Sequence, residues 1–216
     1  MGKLNHVEKI NNAFKVHLTN KEIYESKSVI LAYGKVPAQL NIPGEDKFFG
    51  RGIHIYAIYD AHLYKDKNVA VVGGGNSAIE AALILSKTSK KVYLIHRRNE
   101  FRAEQVNVDK LKSLKNVEFI LEHYPVEFKG NDKLNSLVVK NVNNNEVKEI
   151  NLEGVFVEIG YVNKVDFVKD LVPLDEIGRI KIDAWSQKTE VPGIWAAGDC
   201  TNVLYHQNNI AAGDAV

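Results

Sequence analysis

Two groups of residues in this chain have types and spacing that could do chemistry. The first is Gly73-Gly74-Gly75-Asn76-Ser77-Ala78, which contains the pattern Gly73-x-Gly75-x-x-Ala78. The second is His96-Arg97-Arg98, beginning 23 positions after Gly73, with Arg102 one helical turn further on. In a turn from strand to helix, Gly73 permits a tight bend and Gly75 lets the backbone approach a pyrophosphate. The small Ala78 lets the helix pack on the strand, so that unpaired N–H groups at the helix start face the anion. Taken alone, a glycine triplet also fits a merely flexible turn. The basic group adds what the glycines lack. A site for NAD usually carries an acidic residue about 20 positions on, to hold the ribose 2′-hydroxyl. Here guanidinium forks stand in that place, and such forks match a phosphate bidentately. Together the two groups read as a site for the 2′-phosphate of NADPH. The plainer alternative is a solvated basic face at the end of a strand.

Composition narrows the remaining classes. The 216 residues are 45% hydrophobic and 25% charged, which excludes a collagen-like or predominantly disordered chain. Lys plus Arg number 28 and Asp plus Glu 27, a formal net charge of +1, so no bulk field favours nucleic acid or an anionic membrane. Cys200 is the single cysteine, which rules out an intrachain disulfide scaffold or a self-contained dithiol. No metal site is expected. Met1 to His6 contain no apolar segment of the kind a signal peptide needs, and no apolar run nears the roughly 18 residues of a membrane helix. A cytoplasmic protein is the expectation.

The elements that must position these groups are legible from period and punctuation. Asn68 to Val72 is a β-branched run that flows into the glycines, and Ile79, Ala82, Leu83 and Leu85 then recur at a helical period. Lys91 to Ile95 is the second strand of this βαβ unit. Ala103 to Leu114 reads as a helix with Val106, Leu111 and Leu114 turned to the core, and Val117 to Leu121 as another strand. Residues 124–151 alternate around Gly130-Asn131-Asp132 and the Asn-rich 143–145, a β-meander placed before a closing strand Gly154 to Ile159. At the start, Val7 to Ile10 and Phe14 to Leu18 read as two strands around a turn, and Ser28 to Ala32 as a buried strand. Residues 35–50, with Pro37, Pro43, Gly44 and Gly50, read as a connector. A final helix is expected from near Gln207, still running at Val216.

These same residues carry a resemblance. Val71 to Glu80, followed by Tyr93 to Ala103, closely resembles the NADPH domain of low-molecular-weight thioredoxin reductases, and the likeness continues at Gly154 to Gly160 and at Val191 to Cys200. It covers nearly the whole chain. The resemblance implies an α/β fold in which a Rossmann-like NADPH-binding domain with an inserted β-meander, residues 51–162, interrupts an FAD domain represented by residues 1–50 and 163–216. It places NADPH against Gly73 to Ala78, His96, Arg97, Arg98, Arg102, Ile159 and Gly160. It places the FAD ribityl chain at Gly198 and Asp199, and the flavin ring at the helix start around Gln207 and Asn208, where a positive helix end suits an anionic reduced flavin.

Three departures from the family pattern qualify what is implied. The family's Cys-x-x-Cys-Asp aligns with Tyr56-Ala57-Ile58-Tyr59-Asp60, so both redox cysteines are tyrosines, which form no thiolate and no mixed disulfide. Asp60, the family's acid partner of that dithiol, is left as a structural or solvated residue. The family's first Gly-x-Gly-x-x-Gly, which holds the ADP half of FAD, is absent from the chain and the terminal helix is cut short, features that together suggest a fragment, a split gene product or a decayed paralogue. Tyr33 and His206 stand where the family tends to carry a small hydroxyl residue and an arginine. Two readings follow. One is a flavoprotein oxidoreductase that passes hydride from NADPH to a weakly held FAD, and then on to a ferredoxin-like protein, an external disulfide or a small acceptor. The other is an inactive NADPH-binding remnant that binds nucleotide or a partner without turnover. A homodimer is compatible with the family.

Overall fold

The computed structural model describes residues 2–215, which divide into two compact units. Among the described residues, the first unit takes 2–36 and 161–215, and the second takes 37–160. The passages between them therefore lie at 36/37 and 160/161, whereas the sequence signals put them at 50/51 and 162/163. The shift at the first passage has a packing reason. Leu40, Ile42 and Phe48 lie against the core of the second unit, and the Glu45 carboxylate accepts the backbone N–H of Leu40 (3.0 Å) and Asn41 (2.6 Å).

In chain order the first unit opens with β1 (Leu4–Ile10), β2 (Ala13–Leu18), β3 (Ile23–Ser26) and β4 (Val29–Leu31), and β5 (Val36–Pro37) lies at the passage. The second unit holds α1 (Glu45–Phe48), β6 (Ile53–His54), α2 (Ala57–Asp60), β7 (Asn68–Val72), α3 (Asn76–Leu85), β8 (Lys91–His96), α4 (Gln105–Lys112) and β9 (Val117–Leu121). It continues with β10 (His123–Gly130), β11 (Leu134–Asn141), β12 (Val147–Asn151) and β13 (Gly154–Val157). The chain returns to the first unit with β14 (Tyr161–Val162), β15 (Ile194–Ala196) and α5 (Asn208–Asp214).

The second unit is built in three layers. Five strands pair in parallel in the order β6-β13-β7-β8-β9, with Val69↔Val92, Val71↔Leu94 and Phe156↔Val71 in register. A parallel sheet needs cover on both faces, which is why its strands are apolar almost throughout. Alternate residues go to opposite layers. Val69, Val71, Val92, Leu94 and Phe156 meet α3 and α4, whereas Ala70, Val72, Ile95, Val155 and Val157 meet the antiparallel sheet β10-β11-β12. The inserted meander is thus the second cover of the sheet. This is the expected α/β, Rossmann-like arrangement.

Three local readings change. Val106 is 78% exposed, and Val108 and Leu111 carry the core face of α4 instead. The helix starts at Gln105, and a residue two positions from Val108 points nearly opposite to it. The strand at residues 28–32 is not wholly buried, because Leu31 enters the core while Ile30, on the other face, is exposed. The last helix has Gln207 as its N-cap and runs Asn208–Asp214 with Ala215 as C-cap, and Val216 lies outside the described residues.

The first unit packs β1-β2-β3, the parallel pair β4-β15 and the irregular stretch 163–191 around Val7, Phe14, Leu31, Val168, Ile180 and Ile194. Cys200 belongs to this core. Its thiol is fully buried and donates to the carbonyls of Leu31 (3.4 Å) and Ala197 (3.3 Å), and burial pushes its pKa up. A thiol reagent is therefore expected to modify Cys200 at least about a hundredfold more slowly in the native chain than in urea, since a reactive thiolate requires exposure first. Equal rates in the two conditions, followed by absorbance of the released thiolate, would contradict this packing.

Candidate functional site

The site grows from the carboxyl edge of the parallel sheet. β7 ends at Val72, and Gly73 donates its N–H to Ile95 O (3.0 Å), which holds the turn against β8. Gly73 has φ +152°, and a Cβ there would strike the carbonyl of Glu158 and come within 2.8 Å of the Ala78 methyl. Only glycine fits. A Cβ on Gly74 would collide with the His96 ring. Gly75 differs from both: its φ is −98°, and a Cβ there would meet nothing within 4 Å. The chain's own packing does not demand glycine at 75, and the open space in front of it suits a group lying against the backbone.

Helix α3 starts here with Gly75 as N-cap and no side chain bonded to its first N–H groups. Asn76 and Ser77 are exposed while Ala78 is fully buried. The Asn76 side chain turns aside, and its Oδ1 accepts the backbone N–H of Glu104 (2.9 Å). The helix start is thus left with unsatisfied donors.

The basic group is brought to the same place by the loop after β8. Arg102 donates its backbone N–H to Gly74 O (2.8 Å) and forms a parallel bridge with Gly75. His96 Nε2 donates to the Glu100 carbonyl (3.1 Å), and the ring stacks on Phe101 with centroids 5.4 Å apart. Its pKa is lowered, first by burial and then by the charges of Arg97, Arg98 and Arg102, so it is neutral near pH 7. The three guanidinium groups are exposed, and among the described residues none enters an ion pair. The resulting site is an exposed cationic loop clasped to an uncapped helix start.

Ile159 and Gly160 follow β13 on the same sheet edge, both exposed, with Gly160 at φ +97°. Between them and the strand lies Glu158, which sequence reasoning passed over. Burial, helped by the neighbouring charge of Glu80, holds its carboxyl up at about 7. A carboxyl with a raised native pKa adds stability at low pH and loses it as pH rises from about 4.5 through about 7. Glu158→Gln is accordingly expected to leave stability nearly unchanged at pH 5 and to raise it at pH 8 by about 1–3 kcal/mol, the upper end discounted for partial solvation. Urea midpoints at the two pH values test this. An equal effect at both would remove Glu158 as the titrating group.

The aligned dithiol positions lie in α2 and its N-cap. Tyr56 is 41% and Tyr59 71% exposed, with ring centroids 6.2 Å apart in an edge-to-face arrangement. Asp60 is not merely solvated, because its Oδ2 lies 2.7 Å from His54 Nδ1. Nothing in the spacing of His54 and Asp60 signalled that contact.

In the first unit, Gly198 has φ +75° and donates its N–H to Asp214 Oδ2 (3.3 Å). Asp199 is half-buried, and Gln207 and Asn208 are exposed at the start of α5. Nearby in this unit's chain, Lys35 Nζ donates to His206 Nδ1 (3.1 Å), which puts the proton of a neutral His206 on Nε2. That Nε2, Tyr33 OH and Asn163 Oδ1 are buried without a hydrogen-bond partner. Such orphaned atoms fit a unit that completes its polar contacts on a bound group. Among the described residues no three His, Cys, Asp or Glu side chains cluster to hold a metal, and no helix is long and apolar enough to cross a membrane.

Comparison with known proteins shows the family and the fold. A family profile described as pyridine nucleotide-disulphide oxidoreductase matches residues 2–215. The chain is 39% identical over 211 residues to a thioredoxin reductase of Mycoplasma pneumoniae, covering 97% of this chain and 67% of that protein. It is also 39% identical over 207 residues to the F component of the alkyl hydroperoxide reductase of Staphylococcus aureus, covering 96% of this chain but only 41% of that protein. Among solved structures, the thioredoxin reductase of Lactococcus lactis superposes with a TM-score of 0.80 at 34% identity, over 99% of this chain and 70% of that one.

Proposed function

The chain belongs to the pyridine nucleotide-disulphide oxidoreductase family, and from that premise we propose that it is a thioredoxin-reductase-like oxidoreductase that takes hydride from NADPH and works with FAD. The observation that carries the nucleotide assignment is the clasp of Arg102 onto Gly74, which brings the guanidinium groups to the uncapped start of α3. Gly73 and Gly74 make the tight turn, Gly75 admits the pyrophosphate, and the first N–H groups of Asn76, Ser77 and Ala78 bind it. Arg97, Arg98 and Arg102 take the 2′-phosphate, and neutral His96 orients the loop through its stack on Phe101. Ile159 and Gly160 line the other side of the cradle.

When bound, NADPH would supply a hydride and FAD would accept it, chemistry that the cofactors own and that the protein would position. Gly198, Asp199, Gln207 and Asn208 hold the FAD of this reading, and the orphaned donors of His206 and Tyr33 are available to it. The electron acceptor in this reading would be a ferredoxin-like protein, an external disulfide or a small molecule, because Tyr56 and Tyr59 offer no thiolate. An anaerobic titration tests the assignment. NADPH added to the chain with excess FAD is expected to bleach the flavin absorbance faster than NADPH and FAD alone. An unchanged rate, with NADPH still bound in calorimetry, would leave a nucleotide-binding module without hydride transfer.

A further inference from the structure

His54, Asp60 and Tyr64 form a hydrogen-bonded chain that the proposed function does not use. Asp60 Oδ2 is 2.7 Å from His54 Nδ1, and Tyr64 OH is 2.7 Å from His54 Nε2. The network fixes the protons. The carboxylate only accepts, so Nδ1 carries hydrogen and donates to Asp60. Nε2 of the neutral ring then accepts from the phenol. The His54 ring stacks on Phe156 (5.4 Å), and Tyr64 stands edge-on to the same phenylalanine (5.5 Å). Tyr64 is 6% exposed, and the His54 side chain 10%.

We propose that Tyr64 is a redox-active tyrosine whose phenol proton moves to His54 when the ring gives up one electron. The electron goes to an organic radical of the peroxyl class, which becomes its anion. The Tyr64 O–H bond breaks and an N–H bond forms at His54 Nε2, leaving a neutral tyrosyl radical and an imidazolium. Asp60, already bonded at Nδ1, balances the new charge without any atom moving far. Return of an electron from a small reductant such as ascorbate reverses both transfers. This proposal does not depend on nucleotide or flavin binding.

The surroundings favour the coupled route. Burial, with the charges of Asp60 and Glu153, pushes the phenol up to about 12, so ionisation of Tyr64 does not precede oxidation near neutral pH. Lys67 Nζ lies 5.3 Å from the ring centroid and opposes a positive charge on the ring, which again requires the proton to leave with the electron. Tyr33 is the internal contrast. Its hydroxyl is buried as well but has no partner, so oxidation there has no base to receive the proton.

Flash-generated tris(bipyridine)ruthenium(III) is the test oxidant, with tyrosyl absorbance and electron paramagnetic resonance as readouts. A fast tyrosyl phase with a solvent deuterium isotope effect is expected in the unmodified chain and lost in Tyr64→Phe. His54→Phe keeps the ring stack but removes the base, and should slow that phase at least about tenfold. That factor corresponds to the loss of roughly one charge-assisted hydrogen bond. Asp60→Asn should slow it less, since the shape stays and only the balancing charge goes. Retention of the full fast phase in Tyr64→Phe overturns the assignment to Tyr64. A wild-type rate in His54→Phe overturns the role of the imidazole.

Discussion

Arg97→Ala is expected to weaken NADPH binding about tenfold to a hundredfold while leaving NADH binding nearly unchanged. The size follows from one charge-assisted phosphate contact, worth about 1.5–3 kcal/mol. The selectivity follows from the only chemical difference between the two nucleotides, the 2′-phosphate. Arg97 is exposed and enters no ion pair among the described residues, so its loss removes no internal partner and should leave the fold intact. Calorimetric titration of both proteins with both nucleotides gives four constants. Equal affinity of the unmodified chain for NADH and NADPH would falsify the 2′-phosphate assignment, whatever the variant does. Raised salt should also weaken NADPH more than NADH, because the contact is made at an exposed surface.

The second large effect is an asymmetry between the two cofactors. These 216 residues are expected to hold NADPH measurably while losing FAD on gel filtration. For NADPH the chain supplies a glycine turn, an uncapped helix start and a cationic loop within one compact unit. For FAD it supplies Gly198, Asp199 and the start of α5, a helix of seven residues with none buried, and no second glycine turn for the pyrophosphate. Each missing charge-assisted contact is worth about 1.5–3 kcal/mol, so two or three together turn a tightly held cofactor into one lost on a column. Flavin absorbance per chain after gel filtration measures this directly. Near-stoichiometric flavin would sink the expectation and assign the pyrophosphate to groups other than a glycine turn.

Much of the second unit was legible in the sequence because parallel strands and their turns leave local marks. A strand covered on both faces must be apolar throughout, so Asn68 to Val72 and Lys91 to Ile95 stand out. Gly73 must be glycine at φ +152°, and that requirement is met within a few residues of chain. The meander was legible too, through its alternation and its turn residues. The spacing from Gly73 to His96 could be read because one βαβ turn fixes it.

Tertiary structure decided what depends on distant partners. Val106 looked like a core residue until the start of α4 at Gln105 set the helix phase. Residues 35–50 looked like a connector, yet Leu40, Ile42 and Phe48 pack on the second unit's core and Glu45 bonds back to Leu40 and Asn41. The raised carboxyl of Glu158 comes from burial and from Glu80, on another element 78 positions earlier in the chain. The bond from Asp60 to His54, with Tyr64 beyond, has no periodic signature. Charge burial and hydrogen bonding act through space at a few ångströms, whereas period and turn chemistry act along the chain. Sequence therefore determined the strands, the glycine turn and the cationic loop, and only folding determined which acids and bases would touch.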